Sequence, residues 1–125
     1  MSLKLRILQG VIGLTACATV GACSVPEAAA QARTVKIVIR DNGFAPNQVL
    51  GVIHQPIHLV IRNAGHRVHE FAIPEYRIYT RNLGPGETSD VEFSPWQAGS
   101  FVMYSDPEAD SNPEFSGRFV VVDQK

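Results

Sequence analysis

The stretch "VKIVIRDNGFAPNQ", Val35–Gln48, decides the fold of this 125-residue chain. In its first half, apolar residues at 35, 37 and 39 occupy one face, while Lys36 and Arg40 take the other. This is the period-two pattern of a strand with one buried face. From Asp41 onward the stretch collects Asn, Gly and Pro, which predicts a turn.

The same alternation of strand and turn continues to the end of the chain. The later apolar segments are "PIHLVIRN" (56–63), "VHEFAIP" (68–74), "SDVEFSP" (89–95), "AGSFVMYS" (98–105) and "GRFVVVD" (117–123). No window of this region carries the spacing of an amphipathic helix for more than a turn or two. About seven to eight short strands predict an all-β fold, a small antiparallel sandwich or barrel with Greek-key connections.

The first part of the chain has a different composition. A short basic segment, Met1–Arg6, precedes an apolar stretch that is shorter than the roughly 20 residues needed to span a bilayer. This pattern predicts a secretory signal. Cys17 and Cys23 both follow small residues here, and each context resembles the lipobox of bacterial lipoproteins. We favour lipidation at Cys23, because it leaves a longer apolar core and precedes Ser24; Cys17 is the alternative.

These features predict three regions: a lipoprotein signal peptide at 1–22, a tether at 23–33 and a folded domain at 34–125. Bacterial lipoproteins carry several acyl chains, enough for stable attachment to a membrane. We therefore expect an extracytoplasmic protein, periplasmic or at the cell surface, with a lipid anchor. The alternative is a soluble secreted protein cut within Ala28–Ala32, where small residues predominate.

Charge and cysteine content exclude several function classes. Without residues 1–22 the chain keeps 9 basic and 12 acidic residues, a net charge of −3. This balance argues against nucleic acid as a partner. The predicted domain contains no cysteine, because both lie in the signal region. It therefore has no disulfide and no thiolate chemistry.

Four segments in this order resemble the cupredoxins, and together they cover Thr34–Val122. They are "VKIVIRDNGFAPNQV", "IRNAGHRVHEF", "LGPGETSDVEF", and "AGSFVMYS" followed after a loop by "FSGRFVVVD". The resemblance implies a cupredoxin-like fold. A narrower resemblance links the chain to the cupredoxin-like domain found with bacterial iron-uptake lipoproteins of the EfeO type.

In the cupredoxin family, blue copper is held by two His, a Cys thiolate and a weak axial Met. The matching segments place His69 at the first His position, Ser105 at the Cys position and Phe115 at the Met position. The loop between Ser105 and Phe115 contains no His. The resemblance thus implies a chain that lacks the blue-copper ligands and is not a conventional blue-copper electron carrier.

The loop "YSDPEADSNPEFSG", Tyr104–Gly117, offers carboxylates in place of those ligands. Asp106, Glu108 and Asp110 occupy alternate positions, so an extended loop would project their carboxylates to one side, near His69. A His with carboxylates is a hard, oxygen-rich site that suits Cu(II), Fe(III), Mn or Zn rather than Cu(I). Glu70 and Glu114 are further acids in these segments. The predicted metal ligands are His69, Asp106, Glu108, Asp110 and His66. The alternatives are a solvated loop and a His69 that is a hydrogen-bonded interior residue.

The leading hypothesis is a membrane-tethered extracytoplasmic protein that binds copper, with iron next, for storage, delivery or uptake. We expect no enzymatic activity, because Ser105 lacks the base and oxyanion-hole turn of a hydrolase. Another envelope protein would be its partner in metal transfer. One alternative is a metal-free cupredoxin-like interaction module. The other is electron transfer through an atypical copper site. The oligomeric state is left open.

Overall fold

Nine strands and one short 3-10 helix make up the described part of the chain, residues 31–123, in this computed structural model. The predicted signal peptide and most of the predicted tether, with Cys17 and Cys23, lie outside these residues. Within 31–123 no helix is long and apolar enough to cross a membrane. The strands are β1 (Arg33–Arg40), β2 (Gly43–Ala45), β3 (Gln48–Val52), β4 (Ile57–Asn63), β5 (Ala72–Ile73), β6 (Ile78–Tyr79), β7 (Thr88–Phe93), β8 (Gly99–Ser105) and β9 (Phe115–Val122), with the 3-10 helix at Pro74–Tyr76.

The strands form two sheets that face each other. One has the order β2-β1-β4-β7 and the other the order β3-β9-β8-β5-β6. The predicted all-β sandwich is confirmed, but the prediction that it is antiparallel is only partly right. Two pairs are parallel, β1 with β4 and β3 with β9. The chain changes sheet between β2 and β3 and again between β3 and β4, so β3 and β4 pair with strands that are not their neighbours in the sequence.

The core lies between the sheets and follows the alternation seen in the sequence. Ile37 and Ile39 of β1 and Leu59 of β4 are fully buried from one side, and Met103 and Phe119 are fully buried from the other. Burying each large apolar side chain contributes about 1.5–3 kcal/mol. An aromatic cluster around Tyr76 continues this core.

The sandwich has two distinct ends. β1 and β4 are parallel and finish together at Arg40 and Asn63, and the loop that joins β8 to β9, residues 106–114, meets the loops that follow them. We call this the loop end. The opposite end, where β1 begins at Arg33 after the predicted tether, is the tether end. The parallel pairing therefore brings Asp41 and the segment after β4 to the same place.

Candidate functional site

His69 lies at the centre of the loop end and is fully buried. Its backbone is fixed by a two-way bridge to Leu83, with N···O distances of 3.0 and 2.7 Å. Its Nδ1 lies 2.7 Å from Oε2 of Glu114, and its Nε2 lies 2.9 Å from Oδ1 of Asp41. An ionised carboxylate only accepts hydrogen bonds, so Nε2 donates to Asp41, and a hydrogen bond joins Nδ1 to Glu114. The imidazole is thus held between two acids.

Asp41, the first residue after β1, anchors the segment that carries His69. Besides the ring, its carboxylate accepts the backbone N–H groups of His66 (2.9 Å) and Arg67 (3.2 Å). The hydrogen bond from His69, followed by the one from the His66 backbone, holds the pKa of Asp41 well below its usual range, against the opposing effect of burial. Asp41 is therefore an ionised acceptor that sets the orientation of the ring.

Glu114, the last residue before β9, extends the network on the other side of the ring. Its Oε2 accepts the Ser105 hydroxyl at 2.5 Å, and that hydroxyl accepts the Glu70 backbone N–H at 3.0 Å. The guanidinium of Arg67 lies 3.7 Å from Oε1 of Glu114. A continuous chain of hydrogen bonds therefore runs from Glu70 through Ser105, Glu114 and His69 to Asp41.

Asn63 and Gly65 shape the turn that leads from β4 to this network. Asn63 is fully buried, and its amide donates to the carbonyls of Arg67 (2.8 Å) and Leu83 (2.7 Å) and accepts the Gly65 N–H (2.8 Å). A side chain at Gly65 would collide with the Asp41 carboxylate. This turn lies within one of the four segments that resemble the cupredoxins, and its hydrogen bonds position the segment that carries the ring.

Within residues 31–123, no direct side-chain contact joins His69 to the other predicted ligands. Asp106 is buried, but its carboxylate accepts the backbone N–H groups of Asp110 (3.4 Å) and Ser111 (3.1 Å) within its own loop. Glu108 and Asp110 are exposed, and His66 is exposed beside Asp41. In residues 31–123, no three His, Cys, Asp or Glu side chains are placed to hold one metal ion. The loop ligands thus stay a prediction, while the structure joins His69 to Glu114.

Two recesses flank the loop of residues 106–114. The larger, about 450 Å³, is lined by Arg67, Asp106, Glu108 and Glu114 among others, so solvent reaches Glu114 through it. The smaller, about 210 Å³, lies on the other side and is lined by Glu70, Tyr79, Tyr104 and Asp106. Burial raises the pKa of Glu70, because the charged form is poorly solvated there.

Solved structures with a similar fold include several copper proteins. Auracyanin from Roseiflexus castenholzii aligns with a TM-score of 0.61 and 16% identity, over 75% of this chain and 99% of its own. The metal-binding domain of the Streptococcus pneumoniae Cu(I)-exporting ATPase CopA aligns with a TM-score of 0.58 and 17% identity, over 71% and 84%.

A further match is the copper nitrite reductase of Thermus scotoductus, with a TM-score of 0.61 and 19% identity over 76% of this chain. The chain spans only 28% of that enzyme's length. Identities this low show the fold alone. Comparison with curated proteins found no match. The family model "Cupredoxin-like domain" matches residues 13–121. The chain is therefore a member of the cupredoxin-like domain family.

Proposed function

We propose that this protein is a membrane-tethered, extracytoplasmic and non-enzymatic metal-handling protein that binds Cu(II) through His69 and Glu114. The observation that carries this proposal is the orientation of the His69 ring. Nε2 donates to the Asp41 carboxylate, while Nδ1 is aimed at Oε2 of Glu114, the oxygen that also accepts the Ser105 hydroxyl. Metal-binding histidines characteristically donate their other ring N–H to a carboxylate, which fixes the tautomer and orients the ring.

The donor atoms decide which metal site these residues suit. A blue-copper site needs a thiolate, and residues 31–123 contain no cysteine. Ser105 ends β8 with a hydroxyl, and the Phe115 ring stands 5.4 Å from the His69 ring. The blue-copper donor set thus does not fit. One imidazole nitrogen, one carboxylate and one hydroxyl fit Cu(II), and Fe(III) second.

Binding at this position would release protons. One hydrogen lies between Nδ1 of His69 and Glu114 and another between the Ser105 hydroxyl and Glu114, and a metal that takes this position must displace them. His69, Glu114 and the Ser105 hydroxyl would supply three donor atoms. Further coordination positions would then be left for water or for a ligand from another protein. Such an incomplete set supports transfer of an ion to an envelope partner rather than permanent storage.

Other observations support parts of this proposal. Copper is the metal named for the structurally similar CopA domain and for an apo copper-binding protein that aligns at 20% identity with a TM-score of 0.55. The resemblance to EfeO-type domains supports iron as the second metal. The lipid anchor at Cys23 rests on the sequence pattern of residues 1–33.

Cu(II) titration of the full chain tests the proposal, with competition against a chromophoric chelator as the readout. We expect His69→Ala to weaken binding by more than about 100-fold and Glu114→Gln by about 10-fold or more, since ligand loss exceeds the 10–100-fold cost of losing an outer partner. Glu75→Gln is the matched control, because it removes the same charge from an exposed position outside the predicted site. Equal affinity for all three variants and the unaltered chain would refute the site.

The second candidate function is a metal-free interaction module, and the completeness of the hydrogen-bond network favours it. Each polar group from the Glu70 N–H to the Asp41 carboxylate already has a partner without an ion. A thermal melt separates the two candidates. Cu(II) at about 100 times its Kd should stabilise a metal-binding domain by about 2.7 kcal/mol. An unchanged midpoint at saturating Cu(II) would favour the module.

A further inference from the structure

A cationic side chain, Arg67, lies against the carboxylate of Glu114. Nη2 of Arg67 donates a hydrogen bond to the backbone carbonyl of Asp41 at 2.9 Å, and the same nitrogen lies 3.7 Å from Oε1 of Glu114. Within residues 31–123, no other Lys or Arg forms an ion pair with Glu114. A guanidinium does not lose its proton in proteins. A permanent positive charge therefore stands beside one of the proposed metal ligands.

The two oxygens of the Glu114 carboxylate face different groups. Oε2 lies 2.7 Å from Nδ1 of His69 and accepts the Ser105 hydroxyl at 2.5 Å, whereas Oε1 faces Arg67. A separation of 3.7 Å is too long for a hydrogen bond, so the contact with Arg67 is an ion pair only. His69 and Ser105 therefore orient the carboxylate, and Arg67 acts on it through charge.

This geometry decides the sign of the effect that Arg67 has on a bound metal ion. An outer residue that hydrogen-bonds a metal ligand orients that ligand and strengthens binding. Arg67 makes no hydrogen bond to Glu114, so its effect is electrostatic. It attracts the carboxylate in the metal-free state, and it repels a cation that binds to the same carboxylate. Arg67 also lines the larger recess, through which solvent reaches Glu114. An ion that enters there meets this charge first.

We propose that Arg67 is a specificity-determining residue of this site, which selects against metal ions of high charge and so favours Cu(II) over Fe(III). The inference rests on the proposed metal site at His69 and Glu114. Coulomb energy is proportional to the charge of the ion, so the logarithm of the affinity lost to Arg67 is about 1.5 times as large for a trivalent ion as for a divalent ion. This selection by charge adds to the selection made by the donor atoms.

The backbone at Arg67 is held independently of the side chain, which makes the residue suitable for substitution. Its N–H donates to Oδ1 of Asp41 at 3.2 Å, and its carbonyl accepts the Asn63 amide at 2.8 Å. The Arg67 side chain is 59% exposed, and an ion pair with so exposed a partner contributes little to stability. Arg67→Gln should therefore fold and melt close to the unaltered chain while it removes the charge.

Competition titrations of the full chain with Cu(II), Zn(II) and Fe(III), each against nitrilotriacetate, test the proposal. At low ionic strength we expect Arg67→Gln to raise the affinity for both divalent ions about fivefold and for Fe(III) about tenfold, because exposed charges interact modestly. Arg67→Lys keeps the charge and has no hydrogen bond to Glu114 to lose, so it should bind all three ions as the unaltered chain does. In about 1 M salt the gain of Arg67→Gln should disappear, since the Debye length falls to about 3 Å.

Arg81→Gln is the matched control. The Arg81 side chain is also 59% exposed and also pairs with a carboxylate, that of Glu87 at 2.8 Å, but it forms no ion pair with Glu114. We expect all three affinities to stay unchanged in this variant. Such a result would assign the gain of Arg67→Gln to the position of the charge rather than to the net charge of the chain.

Three results would overturn the proposal. Weaker binding by Arg67→Gln would make Arg67 a residue that positions Glu114. Equal gains for Cu(II) and Fe(III) would remove the selection by charge. Unchanged affinities in Arg67→Gln, together with lost binding in His69→Ala, would overturn the role of Arg67 and leave the metal site in place. Unchanged affinities in both variants would instead refute the metal site, and the inference with it.

Discussion

Asp41→Asn isolates the contribution of the residue behind the His69 ring. The Asp41 Oδ1 accepts His69 Nε2 at 2.9 Å and the backbone N–H of His66 at 2.9 Å, while Oδ2 lies 3.3 Å from His66 Nδ1. An asparagine can place its carbonyl at the Oδ1 position, and its amide at the Oδ2 position then loses the hydrogen bond that Oδ2 accepts from the His66 backbone N–H at 3.0 Å. The substitution therefore removes the charge and leaves the acceptor for the ring in place.

The size of the effect follows from what is lost. Outer partners of metal-binding histidines contribute about 10–100-fold to metal affinity. Asp41→Asn keeps the hydrogen bond to Nε2, so we expect a loss near tenfold in Cu(II) affinity. Asp41→Ala removes the acceptor as well and leaves the His66 and Arg67 N–H groups without a partner, so we expect a loss near 100-fold together with a lower melting temperature.

The assay is Cu(II) competition titration of both variants, with thermal melts recorded on the same samples. Asp123→Asn is the matched control, because it removes one charge from an exposed carboxylate after β9, outside the predicted site. We expect that control to bind Cu(II) as the unaltered chain does. If Asp41→Asn and Asp41→Ala bound Cu(II) with unchanged affinity while His69→Ala did not bind, Asp41 would not position the ring.

Three further predictions concern stability and are measured by scanning calorimetry. Burial raises the pKa of Glu70. The folded state therefore loses stability as the pH rises from the unfolded-state pKa of Glu70 through its folded-state pKa. Glu70→Gln should melt at a higher temperature than the unaltered chain at pH 7 and at the same temperature near pH 4. Gly117→Ala would drive a methyl group into the backbone carbonyl of Asn47 and should cost about 1–3 kcal/mol, or roughly 5–20 °C, whereas Gly84→Ala, with its nearest neighbour at 3.7 Å, should change little. Tyr76→Phe loses a buried hydroxyl that donates to a carbonyl at 2.6 Å and should cost about 1 kcal/mol; a melting temperature unchanged by Gly117→Ala or Tyr76→Phe would contradict these packing assignments.

The strand pattern was predictable because it depends on local alternation. The apolar positions of β1 and β4 and the final hairpin of β8 and β9 lie where the sequence places them. The parallel pairings were not predictable, since strand partners are set by the crossing of the chain between sheets rather than by any local signal. The 3-10 helix at Pro74–Tyr76 was not predictable either, because the apolar residues of that segment follow no clear period.

The candidate site likewise contains residues that could be predicted from the sequence and residues that could not. His69 and Ser105 follow from the family resemblance, and the structure links them through Glu114. Glu114 was visible in the acidic loop, but its position directly before β9 rather than any spacing pattern turns it towards the ring. No sequence pattern indicated that Asp41 is a partner of His69, because this contact arises only when β1 and β4 run side by side. The alternation of acids within the loop predicted Asp106 as a ligand instead, but its carboxylate accepts a backbone N–H of the same loop.

The separation of the two ends of the sandwich places the site away from the start of the folded domain. β1 has eight residues between the tether end and Asp41, which is about 26 Å at 3.3 Å per residue. An ion that enters at the loop end therefore reaches His69 without passing the end of the domain at which β1 begins.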